Sequence, residues 1–177
     1  MYNKWVALFS QTGSEILNIT NNLKVDPYKI ITNQQDISKI NKQLLEKYKD
    51  KIIYLQKKPT EEEYIKVLEG ADIITLHGWL RIIPANICNK YKIYNLHPGL
   101  ITKYPILKGF NPQEKAFNLK LPTAGCVIHE VVPEVDSGKI LEYSEFDITN
   151  NTLDEVYTKL HDSATLLWTK FLQGKVK

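Results

Sequence analysis

Short, continuously apolar runs alternate with helix-spaced apolar positions from the first residues onward. Trp5-Val6-Ala7-Leu8-Phe9 has no polar member, as expected of a strand buried on both faces. A polar turn, Ser10 to Ser14, follows, and then Ile16, Leu17 and Thr20 recur at helical spacing. Tyr28 to Ile31 predicts a second strand; Ile37, Ile40, Leu44, Leu45 and Tyr48 form the apolar stripe of a helix; Ile52 to Leu55 predicts a third strand. Thr60 with Glu63 reads as a capping box opening a helix that closes at Gly70. Ala71 to Leu76 and Lys92 to Leu96 give strands four and five. From Thr123 the rhythm changes. Gly125 to Val132 and Lys139 to Ile148, joined by the Pro133–Gly138 loop, predict an antiparallel hairpin. Thr152 with Glu155 gives a second capping box, before a long helix carrying Val156, Leu160, Ala164, Leu167 and Phe171. The sum is an α/β fold: a mostly parallel twisted sheet, helices on both faces, and an antiparallel addition near the C-terminus. No repeat, low-complexity tract or linker interrupts it, so residues 1–177 are expected to form one domain.

Composition narrows the function more than the fold. A chain of 177 residues buries a full core without disulfides or metals. The net charge of +3 is small and the lysines are scattered. Their densest cluster, Lys47 to Lys58, is interrupted by Ile52-Ile53-Tyr54-Leu55 and reads as a solvated helix end and loop rather than a nucleic-acid surface. Cys88 and Cys126 lie far apart in apolar surroundings, as buried free thiols in a reducing compartment do. No basic segment precedes an apolar run at the N-terminus, and no apolar stretch reaches membrane-spanning length, so a cytoplasmic location is expected. The four histidines and two cysteines show no metal-ligand spacing, and no metal is predicted.

Candidate chemistry collects beyond the C-terminal ends of the predicted strands, where open α/β sheets hold their ligands. The turn Thr12-Gly13-Ser14 has a single glycine, too few for a dinucleotide fingerprint or a Walker loop. It is either an ordinary turn or an anion cradle at a helix N-terminus, where Glu15 would suit the helix dipole but repel an anion. His77-Gly78-Trp79-Leu80-Arg81 is either a pocket wall with an exposed aromatic or a tight turn with Trp79 in the core. Asn95 and His97, two apart at a strand end, face the same side. Asp136 sits in the loop Val135-Asp136-Ser137-Gly138. An amide that donates to a developing oxyanion, an imidazole that moves a proton, and a carboxylate that holds the imidazole or a water suit acyl transfer onto an amine. No Gly-x-Ser-x-Gly elbow points to a serine hydrolase. His129, in a predicted strand, is either a satisfied half-buried histidine or part of the site, and His161 is expected to face solvent or a partner side chain.

The segments Phe9-Ser10-x-x-Gly13-Ser14, Gly78-Trp79-Leu80-Arg81-Ile82-Ile83, Asn95-Leu96-His97-Pro98-Gly99-Leu100, Lys103-Tyr104-Pro105, Thr123 to His129 and Asp136-Ser137-Gly138, in that order, resemble the folate-dependent formyltransferase family over nearly the whole chain. The resemblance implies a Rossmann-like formyltransferase fold with Asn95, His97 and Asp136 as the catalytic trio. It implies 10-formyltetrahydrofolate as donor and co-substrate, held largely through backbone by Trp79, Leu80, Arg81, Ile82, Val132, Pro133, Glu134 and Val135. Thr12, Gly13, Ser14, Glu15, His129 and His161 become the acceptor side. The implied acceptor is a primary amine, glycinamide ribonucleotide first, as in purine biosynthesis. Glu15 stands where such enzymes usually place Asn beside the phosphate, and His161 and Ala164 stand where they place a polar or basic residue and a Glu. An amino-sugar nucleotide or a modified-nucleotide amine is therefore the alternative acceptor, with a formyltetrahydrofolate hydrolase or a non-catalytic folate- or nucleotide-binding module behind it. The implied partners are the small-molecule amine and folate, without nucleic acid or membrane, and a homodimer is left open.

Overall fold

The computed structural model describes all residues, 1–177, around one seven-stranded sheet. In chain order the strands are β1 (Trp5–Phe9), β2 (Lys29–Thr32), β3 (Ile52–Tyr54), β4 (Ile73–Leu76), β5 (Ile93–His97), β6 (Thr123–Glu130) and β7 (Ile140–Asp147). The helices are α1 (Ser14–Leu23), α2 (Lys42–Tyr48), α3 (Glu61–Leu68), α4 (Ala85–Lys90), α5 (Pro112–Asn118) and α6 (Leu153–Leu172). The sheet order is β3-β2-β1-β4-β5-β6-β7. The first five strands are parallel, and β6 and β7 add as an antiparallel hairpin on β5.

Strand β1 shows why the apolar run has to be central. Its alternate side chains feed two cores, as the two-residue period of a strand requires. Trp5, Ala7 and Phe9 join the core under α1, α2 and α6, while Val6 and Leu8 join the core under α3 and α4. A third, smaller core around Leu100, Leu107, Ala116 and Val156 packs the segment after β5 and α5 against the hairpin. The chain winds outward from β1 to β3, then returns to start β4 on the other side of β1. That reversal opens a crevice beyond the ends of β1 and β4, where neighbouring connections leave in opposite directions.

Both ends of the pattern reading hold well. The Thr152–Glu155 capping box forms in both directions, and Val156, Leu160, Ala164, Leu167 and Phe171 are all buried. Several elements differ from expectation. The helix expected across Ile37 to Tyr48 is broken: Ile37–Lys39 is one 3-10 turn, Ile40 is extended, and the Asn41 carboxamide caps α2 by accepting from the N–H groups of Gln43 and Leu44. An asparagine side chain offers a helix start more effectively than an interior position. Ile37 is left exposed. The box at Thr60 is half formed, because Thr60 Oγ1 accepts from Glu63 N–H while the Glu63 carboxylate turns away to accept from Gln56 Nε2. Helices α4 and α5 carry too few turns for an apolar period to register, and neither was expected. Strand limits move by one or two residues, so that His97 is the last residue of β5 rather than the first beyond it.

Candidate active site

The end of β5 presents Asn95 and His97 beside the crevice, and register brings a third side chain to them. Antiparallel pairing sets Asn95 directly opposite His129 on β6. The hairpin loop then carries Asp136 back over the strand ends. Asp136 holds φ at +54°, a left-handed conformation that non-glycine residues rarely adopt and that tends to mark functional positions. It is fixed there by the backbone N–H of Gly109, which donates to Oδ2 at 3.0 Å. Asp136 Oδ2 lies 3.5 Å from His97 Nδ1, and its Oδ1 lies 3.8 Å from His129 Nε2. Four polar side chains therefore form one connected group, with His97 and His129 buried and Asp136 mostly so.

The surrounding backbone assigns the protons. The carbonyl of Leu107 can only accept, so His97 Nε2 carries a hydrogen and donates to it at 2.7 Å. The working nitrogen of His97 is then Nδ1, which faces Asp136. By the same argument His129 Nδ1 donates to the carbonyl of Glu130 at 2.8 Å, leaving Nε2 to accept from the Asn95 amide at 3.4 Å. Asn95 is thereby turned with its NH₂ toward the imidazole and keeps a second N–H to give. The His97 contact is the chief influence holding the Asp136 carboxyl below its ordinary 3.8, against a smaller opposing effect of burial. Burial pushes the His129 imidazole below 6.5, so it is neutral at pH 7. Close packing keeps the ring of His97 in place: a methyl group on Gly99 would sit 2.6 Å from Pro112 Cβ and 3.2 Å from His97 Nε2.

The remaining expected positions fall into two groups flanking this cluster. On one side lie Leu80, Arg81, Ile82, Pro133, Glu134 and Val135, all exposed, with Val132 partly so. Of the two readings of Trp79, the structure takes the core one: its indole is buried, donates to Tyr64 Oη at 3.2 Å and meets that ring edge-on. Only its backbone can serve a ligand. On the other side a cavity of about 220 Å³ is lined by Thr12, Gly13, Ser14, Glu15 and His161 among others. Gly13 is required at its turn, with φ at +73° and no room for a Cβ against Leu44. His129 is not on this cavity. It is more deeply buried than expected, with the Asp136 carboxylate 3.8 Å from its Nε2, and it orients Asn95. His161 is exposed and borders the cavity.

Leu107, Gly109 and Gln113 were missed by sequence reasoning. The first two act through backbone groups, which no side-chain pattern reveals, although Gly109, Asn111 and Pro112 together do mark a turn. His77 stood in a quoted motif without a role, and it also lines the cavity.

The chain matches the model of one protein family, described as formyl transferase, over residues 4–170. It belongs to that family. A phosphoribosylglycinamide formyltransferase of Dictyostelium discoideum is 33% identical over 109 residues, covering 55% of this chain and 52% of that protein. Formyltetrahydrofolate deformylase 2 of Arabidopsis thaliana is 33% identical over 84 residues, covering 46% of this chain and 25% of that protein. The matched segments thus span about half, or less, of these curated relatives. Among solved structures, a phosphoribosylglycinamide formyltransferase from Campylobacter jejuni superposes with a TM-score of 0.83 at 25% identity, covering 96% of this chain and 95% of that one. The formyl transferase fold accounts for the sheet order and for the hairpin that delivers Asp136. No helix is long and apolar enough to cross a membrane.

Proposed function

We propose that this formyl transferase moves the formyl group of 10-formyltetrahydrofolate onto the primary amine of glycinamide ribonucleotide. The observation that carries the reading is the single group of Asn95, His97, His129 and Asp136 between an exposed, largely apolar wall and a polar cavity. The wall suits a flat donor held through backbone groups, and the cavity suits a hydroxylated acceptor. The two named phosphoribosylglycinamide relatives support the acceptor.

In this mechanism the uncharged amine attacks the formyl carbon, and the carbonyl π electrons move onto oxygen. The second N–H of Asn95 and, from the doubly protonated imidazolium, Nδ1–H of His97 donate to that oxygen, a contact stronger in the tetrahedral state than in the substrate. Asp136, ionised and aimed at the same point, accepts the proton released by the new ammonium, directly or through a water. The oxyanion re-forms its carbonyl as the bond from carbon to the folate N10 breaks, and N10 takes the proton. The products are a formamide and tetrahydrofolate. Asn95, His97 and Asp136 are the catalytic residues of this reading, and His129 is a positioning residue for Asn95.

The test is an acceptor screen with 10-formyltetrahydrofolate, using glycinamide ribonucleotide and amino-sugar nucleotides, with formylated product measured by mass. Formylated glycinamide ribonucleotide is expected. Absence of product from every amine would overturn the reading, and release of formate without an acceptor would place the chain functionally with its deformylase relatives.

A further inference from the structure

The most exposed large apolar side chain of the molecule stands one residue from a group that holds Asp136. Phe110 is 90% exposed, while Gly109, just before it, donates its N–H to Asp136 Oδ2 at 3.0 Å. One Cα step, about 3.8 Å, therefore separates Phe110 from that anchor. On its other side the chain is anchored again: Pro112 is buried, and Gln113 lines the acceptor cavity. Phe110 and Asn111 thus form a two-residue bridge between the loop that carries Asp136 and the cavity. Gly109 at φ +86° and Asn111 at φ +50° turn this bridge sharply on both sides of Phe110. The backbone is tied down and the ring is free, so it can change rotamer without moving either anchor.

Packing within the protein gives no reason for an aromatic ring here, since so little of it is covered. Its exposed apolar companions gather about the same contacts. Val135 precedes Asp136 in the hairpin loop, and Ile106 precedes the Leu107 whose carbonyl holds His97. Leu80 and Ile82 stand exposed on the donor wall. Apolar side chains exposed around a polar reacting centre mark a ligand contact, and a folate presents flat aromatic rings to them.

The reaction supplies the need for a cover. Asp136 accepts a proton from whichever nucleophile adds to the formyl carbon. If water adds, its oxygen bonds to that carbon, its proton passes to Asp136, the bond to N10 breaks and N10 is protonated. The products are then formate and tetrahydrofolate. Asn95 and His97 do not separate the two outcomes, because both donate to the oxyanion that either nucleophile creates. Preference for the amine requires that bulk water be kept from the formyl carbon.

We infer that Phe110 is a specificity-determining residue that folds its ring over the formyl end of the bound donor and excludes bulk water, so that the amine takes the group. The inference rests on the formyl-transfer reading and names the residue that divides transfer from hydrolysis. Phe110 moves no proton, so its effect belongs in the ratio of the two products and in donor affinity.

The experiment follows formate and formylated glycinamide ribonucleotide from 10-formyltetrahydrofolate, with and without the acceptor. The wild-type protein is expected to transfer the group and release little formate. Phe110→Ala should raise formate release without acceptor about tenfold, and raise its share of turnovers when acceptor is present. The donor KM should rise about two- to tenfold, the value of one aromatic contact. Phe110→Leu should recover part of the transfer fraction and Phe110→Trp most of it. Because the ring is exposed, the urea midpoint of Phe110→Ala should match that of the wild-type protein, so a changed ratio cannot come from unfolding. An unchanged ratio in Phe110→Ala, with wild-type transfer intact, overturns the inference and leaves the reaction reading standing. Equal loss of both products overturns it too, because the ring would then position the loop rather than exclude water. A shifted gel-filtration volume with an unchanged ratio would assign the ring to a protein contact instead. Formate as the sole product of the wild-type protein would sink the reaction reading, and this inference with it.

Discussion

Asn95 is held by one contact that depends on a neutral imidazole. Were His129 protonated, its Nε2 would become a donor facing another donor, and the amide would turn. Burial lowers the His129 value, so the folded chain resists a proton that the unfolded chain takes up near pH 6.5. Stability from this residue is complete above that value and declines as pH falls toward the folded-state value. His129→Gln keeps an acceptor without the titration. Its urea midpoint is expected to fall less between pH 7 and pH 5 than that of the wild-type protein. At the same scale, Asn95→Ala should lower kcat by roughly 10²–10³, the usual cost of one oxyanion donor. Asp136→Asn should lower kcat by about 10²–10⁴ with little change in the folate KM, because it removes a proton acceptor and leaves the loop's Gly109 contact in place. Wild-type turnover in either variant would mean that the proposed roles are wrong.

At the scale of elements, the best-specified one is α6. It holds 20 residues and a two-way capping box at its start, and its buried stripe lines the core under β1. Thr152→Ala removes an acceptor that no neighbour replaces and is expected to cost about 1 kcal/mol, measured by chemical denaturation at fixed pH. The β6–β7 hairpin matters in a different way. Its strands set His129 against Asn95 by register, while its loop delivers Asp136 in a left-handed conformation onto the Gly109 N–H. A shift of one residue in the pairing would turn His129 to the other face. Local composition shaped the small elements less reliably. Asn41 broke a helix whose apolar spacing read as continuous, and Glu63 left its cap for Gln56.

For the whole molecule, the two main cores share β1 as a common wall. Leu8 is fully buried in one of them, next to the strand end from which the crevice opens. Leu8→Ala is expected to destabilise by about 2–5 kcal/mol in urea denaturation, from lost transfer energy and the cavity left behind. Cys126 lies in the opposite core, its thiol pushed up to about 12 by burial. It should resist thiol reagents until the protein unfolds, and rapid labelling under native conditions would contradict the packing described.

The chain's own pattern was enough to define the strand-and-helix alternation, the hairpin and the closing helix. These depend on local periodicity and capping, which neighbouring residues decide among themselves. The same was true of the candidates Asn95, His97 and Asp136, whose types and flanking Pro and Gly are visible in one dimension. Their union was expected from the resemblance, but the groups that hold it together were not visible. It took the pairing of β5 with β6 to bring His129 to Asn95, and the segment after β5 to supply the Leu107 carbonyl and the Gly109 N–H. Trp79 turned inward because Tyr64, fifteen residues earlier, offered its ring and hydroxyl, and Glu15 acquired a fixed direction from His77, on the neighbouring strand's end. Contacts between residues far apart in sequence carry no local signature, so only the folded chain could decide them.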